Sequence, residues 1–159
     1  MAAAVQAFLS TVVNKLDAKG RVSVPAPFRQ ILAAQSLRGF YCFPSFVEPA
    51  LEAFGEDLLV DFQKRLGAVD PLFSADYDAQ AQAVVGETQF LGFDEEGRVR
   101  LPDNFLKHAE IKERVLFVGM FQKFQIWDPD RFEPVRLERI ARARATRIGG
   151  DVRPGNPAP

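Results

Sequence analysis

Twelve residues of this chain are written twice. Asp17-Ala18-Lys19-Gly20-Arg21-Val22-Ser23-Val24-Pro25-Ala26-Pro27-Phe28 returns 77 residues later as Asp94-Glu95-Glu96-Gly97-Arg98-Val99-Arg100-Leu101-Pro102-Asp103-Asn104-Phe105, with six positions identical and Val24 matched by the aliphatic Leu101. A period of that length exceeds a solenoid unit and falls short of a comfortable separate domain, so the copies are expected to build one pseudo-symmetric body. Each copy opens on a turn with Asp at its first position and Gly at its fourth. An alternating strand follows. If Val22 and Val24 face the core, Arg21 and Ser23 face water, and if Val99 and Leu101 point inward, Arg98 and Arg100 point out. A doubled turn followed by an outward arginine is the first place to look for function.

The rest of the chain reads as α+β. Phe8 to Leu16 has strand character, and Pro25 ends the next strand and opens a short helix through Phe28, Ile31 and Leu32. Phe40–Phe43 and Ala50–Phe54 read as strands, Glu56–Leu66 as a helix with Leu58, Leu59 and Phe62 on one face. Ser74 can cap a further helix ending near Gly86. The second half replays the order: a strand over Thr88–Phe93, a short helix after Pro102, a hairpin of Arg114–Met120 with Lys123–Trp127, and a helix opened by Asp128 and Pro129 that runs to about Arg147. The organisation expected is a first repeat at 8–67, a connecting helix at 68–86, a second repeat at 87–147 and a disordered tail at 148–159 rich in Pro and Gly.

Composition narrows the function classes. One Cys and one His exclude a disulfide framework and any site needing a Cys/His ligand cluster, and a reducing cytoplasm is the simple expectation. Twenty basic against twenty-one acidic residues leave a net charge of −1, so any nucleic-acid binding must rest on a local patch. Met1 to Val13 lacks a basic start and is interrupted by Gln6, Ser10 and Thr11, which argues against a signal peptide and a membrane span. No Gly-rich phosphate cradle and no nucleophile with a base suggest an enzyme. His108 stands without a second ligand, and no metal or cofactor is expected. Cys42, between Tyr41 and Phe43, reads as a buried small hydrophobe.

The run Leu16–Pro25, together with Val115-Leu116-Phe117-Val118-Gly119-Met120-Phe121-Gln122-Lys123-Phe124-Gln125-Ile126-Trp127-Asp128, resembles the MraZ family of bacterial transcriptional regulators, whose fold is of the swapped-hairpin type typified by AbrB. The resemblance spans roughly residues 8 to 145. It implies two AbrB-like β-α-β repeats forming one pseudo-symmetric, β-barrel-like core with additional packed helices. It also implies that the Asp-x-x-x-Arg signature of each repeat supplies a DNA-contacting loop and that protomers close into a ring. Carried over, Arg21, Arg98 and Lys19 are DNA-binding residues and Asp17 and Asp94 position the loops; Arg100 on the same outward face and Lys15 just ahead of the first loop join the DNA-binding candidates, and the turn glycines Gly20 and Gly97 join the loop-positioning ones. The implied function is repression of the division and cell-wall gene cluster, including the protein's own gene, through short direct repeats in double-stranded promoter DNA, in the cytoplasm at the nucleoid, with no small-molecule substrate.

Each feature also has a plainer explanation. An exposed Asp–Arg pair can simply stiffen a hairpin, at about 0–1 kcal/mol; its duplication and the family likeness favour DNA contact, because a guanidinium fork matches a phosphate or a guanine edge. Glu95 and Glu96, standing where the first loop has Ala18 and Lys19, predict unequal loops. The arginines at 136, 139, 142, 144 and 147 read as a solvated helix face, with Leu137, Ile140 and Ala141 as its packing stripe. Phe117, Phe121, Phe124 and Trp127 read as core or subunit interface. An alternative function stays open, a protein-binding regulator of the antitoxin-like or partner-masking kind.

Overall fold

The computed structural model describes residues 6–146. The described residues divide into two compact units at Pro129. In the first, the elements are β1 (Thr11–Lys15), β2 (Arg21–Ser23), α1 (Ala26–Ala34), β3 (Gly39–Pro44), β4 (Leu51–Phe54), α2 (Glu56–Leu66) and α3 (Ala75–Gln80), which runs into a π-helical turn at Ala81–Gly86. They continue with β5 (Gln89–Gly92), β6 (Arg98–Arg100), α4 (Asp103–Ala109), β7 (Arg114–Met120) and β8 (Lys123–Trp127). The last element is α5 (Pro129–Thr146), with Pro129 at its first position as expected; from Asp130 on it makes up the described part of the second unit. The expected tail at 148–159 and the helix end at Arg147 lie outside the described residues.

Six strands form one antiparallel sheet in the order β1-β7-β8-β4-β3-β5, while β2 and β6 pair only with each other. The order is a palindrome of the repeat: β1 corresponds to β5, β7 to β3 and β8 to β4. The first strand of each repeat is thus seated on the hairpin of the other, Thr11 opposite Val118 and Phe90 opposite Tyr41. The small ribbon obeys the same symmetry. Val22 faces Val99 at its centre, Arg21 faces Arg100 and Ser23 faces Arg98. At its ends the Val24 N–H donates to the Gly97 carbonyl (3.1 Å) and the Leu101 N–H to the Gly20 carbonyl (2.9 Å).

This arrangement corrects the barrel expected from the sequence. A barrel needs every strand paired on both sides, whereas β1 and β5 remain the two edges of an open sheet. The cause is local. The Asp-to-Gly turns redirect the chain after β1 and β5, so β2 and β6 leave the edges and satisfy their backbone groups on one another. The first strand is also shorter than expected. Ser10 adopts φ +75°, which breaks the regular ladder ahead of Thr11, and Phe8 pairs with Phe121 beyond the break (2.8 and 3.0 Å).

The repeated alternation decides what is buried. Val22, Val24, Val99 and Leu101 are all at most 2% exposed, and they share one core with Phe28 and Leu32 of α1, Phe105 and Ala109 of α4, and the inner face of the sheet. Phe124 is the hub, with ring centroids of Phe8, Phe28 and Phe40 at 4.9, 5.0 and 5.1 Å and Phe117 at 6.3 Å. Edge-to-face and tilted rings at these spacings add to the area term. Ser74 caps α3, accepting from the Tyr77 N–H at 3.1 Å, and Cys42 is fully buried, its thiol pushed well up by burial and by the charge of Glu52.

Phe117, Phe124 and Trp127 are core residues, but Phe121 is 62% exposed. It sits at φ +72° in the two-residue turn between β7 and β8, where the chain reverses and no inward face exists. In the second unit, Leu137 and Ile140 are exposed rather than packed. Arg136 and Arg142 pair with Glu133 (3.1 Å) and Glu138 (3.0 Å) on their own helix, the solvated face expected of α5.

Candidate nucleic-acid interface

The two Asp-x-x-x-Arg turns are built atom for atom alike. Asp17 Oδ1 accepts from the backbone N–H groups of Lys19 (2.9 Å) and Arg21 (2.8 Å), and its Oδ2 accepts from Arg21 Nε (2.7 Å). Asp94 Oδ1 accepts from the N–H groups of Glu96 and Arg98 (both 2.9 Å), and its Oδ2 from Arg98 Nε (2.9 Å). The backbone closes the same way, Asp17 N–H to the Arg21 carbonyl at 2.9 Å and Asp94 N–H to the Arg98 carbonyl at 2.9 Å. Gly20 (φ +79°) and Gly97 (φ +77°) occupy the left-handed position that the turn demands. One carboxylate therefore shapes the turn with one oxygen and aims the arginine with the other.

The electrostatics follow from these bonds. The Arg21 backbone N–H, foremost, holds the Asp17 carboxyl below the ordinary aspartate value of 3.8, and the Arg98 N–H does the same for Asp94. The bond that Arg98 donates to Asp94, joined by the charges of Asp94, Glu96 and Asp17, raises Arg98. Both aspartates are ionised at neutral pH, and each occupies only the Nε of its arginine. The terminal nitrogens of Arg21 are not engaged by another described residue, whereas Arg98 Nη2 lies 3.4 Å from Glu96 Oε2.

Arg21, Ser23, Arg98 and Arg100 share the outward face of the β2–β6 ribbon, because directly opposed and alternate positions of an antiparallel pair point the same way. Arg100 and Ser23 are exposed and Arg21 and Arg98 half-buried beside their aspartates. Lys19 is exposed in the first turn. Lys15 stands apart: it ends β1, in register with Arg114, and is not on the ribbon.

The structure adds Arg29, which the sequence reading missed. On α1, Arg29 donates from Nε to the Val24 carbonyl (3.1 Å) and lays its guanidinium against Gly97, where a Cβ would come within 2.7 Å of Arg29 Cζ. Its counterpart in the second repeat is Leu106, whose Cδ1 lies 3.8 Å from the corresponding Cβ position at Gly20. Extending the repeat one residue past Phe28 and Phe105 would have brought out this substitution.

Residues 84–146 match the family model described as "MraZ protein, putative antitoxin-like". The chain is 42% identical over 150 residues to a protein named "Transcriptional regulator MraZ" from Xanthobacter autotrophicus, covering 94% of this chain and 95% of that one. Proteins of the same name from Pelagibacter ubique and Rhizobium johnstonii are 41% identical over 140 residues (88% and 90% of the two chains) and 42% identical over 125 residues (79% and 86%).

Proposed function

The chain belongs to the MraZ family, and from that membership we propose that it is a sequence-specific DNA-binding transcriptional regulator with no catalytic step of its own. The observation that carries the reading is the β2–β6 ribbon: three arginines on one outward face, two of them aimed by the duplicated aspartates. A two-stranded antiparallel ribbon fits the major groove of B-DNA, about 12 Å wide, and an arginine with free terminal nitrogens can take a guanine edge or a phosphate there. In this reading Lys19, Arg21, Arg98 and Arg100 meet DNA, Lys15 contributes to the field from the sheet edge, and Asp17, Gly20, Asp94 and Gly97 hold the arginines in place. The exchange of first strands between the two hairpins supports reading the chain as a swapped-hairpin fold, with repeats proposed at 8–67 and 87–147 joined through 68–86.

One ribbon is a small reader. A ring-shaped homo-oligomer that presents several ribbons to short direct repeats raises affinity by effective concentration, and the role proposed is repression of the division and cell-wall gene cluster and of the protein's own gene, in the cytoplasm at the nucleoid. No described helix is long and apolar enough to cross a membrane. The test is a salt titration of binding to the promoter fragment upstream of the gene. Phosphate-based recognition must weaken steeply with salt, and Arg21→Ala should cost about 1–3 kcal/mol per engaged ribbon. Salt-insensitive action without DNA would overturn the reading in favour of a partner-masking regulator.

A further inference from the structure

Resting on that DNA reading, we infer that the ribbon reads DNA with one end only: Lys19, Arg21 and Arg100 form a composite head drawn from both repeats, and Glu96 withholds Arg98 from base readout. The backbone of the ribbon is two-fold symmetric about Val22 and Val99, but its side chains are not. Register sets Arg21 against Arg100 at one end and Ser23 against Arg98 at the other. Cross-strand neighbours stand about 4.5–5.5 Å apart at Cβ, so the first end gathers two guanidinium groups, and Lys19 adds a third cation in the adjoining turn. Against these three stands one carboxylate, Asp17, which takes only the Nε of Arg21. At the other end a single arginine meets two carboxylates, Asp94 at 2.9 Å and Glu96 at 3.4 Å.

Like charges placed directly opposite destabilise a ribbon. The Arg21/Arg100 end therefore gains from an external anion, while the Arg98 end is already neutralised. Equivalent positions of the two ends lie two residues apart along a strand, about 7 Å, which is about two base-pair steps of duplex. The ends thus face different base pairs. A symmetric ribbon would read an element equally in either direction; with one head silenced, each ribbon reads a non-palindromic element with one polarity. Arg98 remains within reach of the sugar-phosphate backbone, and it is Glu96, standing where the first loop carries Lys19, that sets the division.

The experiment uses the full chain and two probes, the duplex that the wild-type protein enriches most from a random-sequence pool and a scrambled duplex of the same composition, with binding read by fluorescence anisotropy. Arg21→Ala and Arg100→Ala should each weaken binding to the enriched duplex about 5- to 100-fold and flatten its preference over the scrambled one. Arg98→Ala should weaken both duplexes by a similar small factor, about threefold or less, leaving the preference intact. Glu96→Gln should tighten binding to the scrambled duplex by roughly threefold, an effect that vanishes at high salt. Polarity is read separately. An iron chelate tethered through Ala18→Cys should cut at one end of the enriched element. The composite head is overturned if Arg98→Ala erases preference as Arg100→Ala does, if Glu96→Gln leaves scrambled binding unchanged, or if cleavage is equal at both ends. Should Arg21→Ala leave both duplexes bound as by wild type, the composite head falls while the DNA reading stands; should the wild-type protein enrich no duplex from the pool, the DNA reading itself falls.

Discussion

Gly97→Ala and Gly20→Ala are the same substitution at the same point of the repeat, and the structure assigns them different costs. Both glycines sit near φ +78° (+77° and +79°), where an L side chain pays about 1–2 kcal/mol, offset by about 0.5–1 kcal/mol because alanine leaves the unfolded chain less freedom. That leaves roughly 1 kcal/mol for Gly20→Ala, whose new methyl meets nothing closer than the Leu101 carbonyl at 3.6 Å. At Gly97 the methyl collides with the Arg29 guanidinium at 2.7–2.8 Å. Arg29 must swing away and lose its bond to the Val24 carbonyl, adding about 1 kcal/mol. Urea denaturation should therefore place Gly97→Ala about 2 kcal/mol below wild type and Gly20→Ala about half that, with unchanged slopes. In an Arg29→Ala background the collision is gone, and Gly97→Ala should cost no more than Gly20→Ala does. Equal costs for the two glycines, or additive costs for Gly97→Ala and Arg29→Ala, would refute the reasoning.

Other outcomes follow from the same structure. Phe124→Ala, at the centre of four ring contacts, should cost about 3–5 kcal/mol in urea denaturation, whereas Phe121→Ala on the exposed turn should stay within about 0.5 kcal/mol. Glu52 accepts from Lys123 Nζ and Gln125 Nε2, both at 3.0 Å, and Gln125 Oε1 accepts from Trp127 Nε1 at 3.0 Å; Glu52→Ala withdraws the carboxylate from this buried chain and should lower stability by about 1–3 kcal/mol, more than Lys123→Met at the half-exposed end. The lowered pKa values of Asp17 and Asp94 mean that their support of the turns is complete above the ordinary aspartate value of 3.8 and is lost as pH falls through the lower folded values. Amide exchange at Lys19, Arg21, Glu96 and Arg98, whose N–H groups the two carboxylates hold, should accordingly be protected at pH 5 and open only as pH falls below 3.8, and Asp17→Asn with Asp94→Asn should remove that pH dependence.

The candidate site was legible in the sequence because its information is local. An Asp, a Gly in the left-handed position and an Arg within five residues dictate a turn whose carboxylate accepts from the backbone two and four residues further on, and alternation alone placed Arg21, Arg98 and Arg100 on the outside. The two-residue hairpin turn and the α2 boundaries were legible for the same reason, since local propensity and tertiary packing agree there. What tertiary structure decided was which strands meet. Nothing within a repeat tells Arg98 that it will face Ser23 and Arg21 that it will face Arg100, because that register comes from docking one repeat on the other across 77 residues. The open sheet has the same origin: the turns are specified locally, but whether β2 returns to the edge of β1 or pairs with β6 depends on burying Val22 against Val99. Arg29 escaped notice because its role lies in a contact between repeats, and of the two places expected for Phe121, core or subunit interface, its position in the turn removes the core. The chain's own pattern determined the turns and their chemistry; packing between the repeats determined which of those charges stand together.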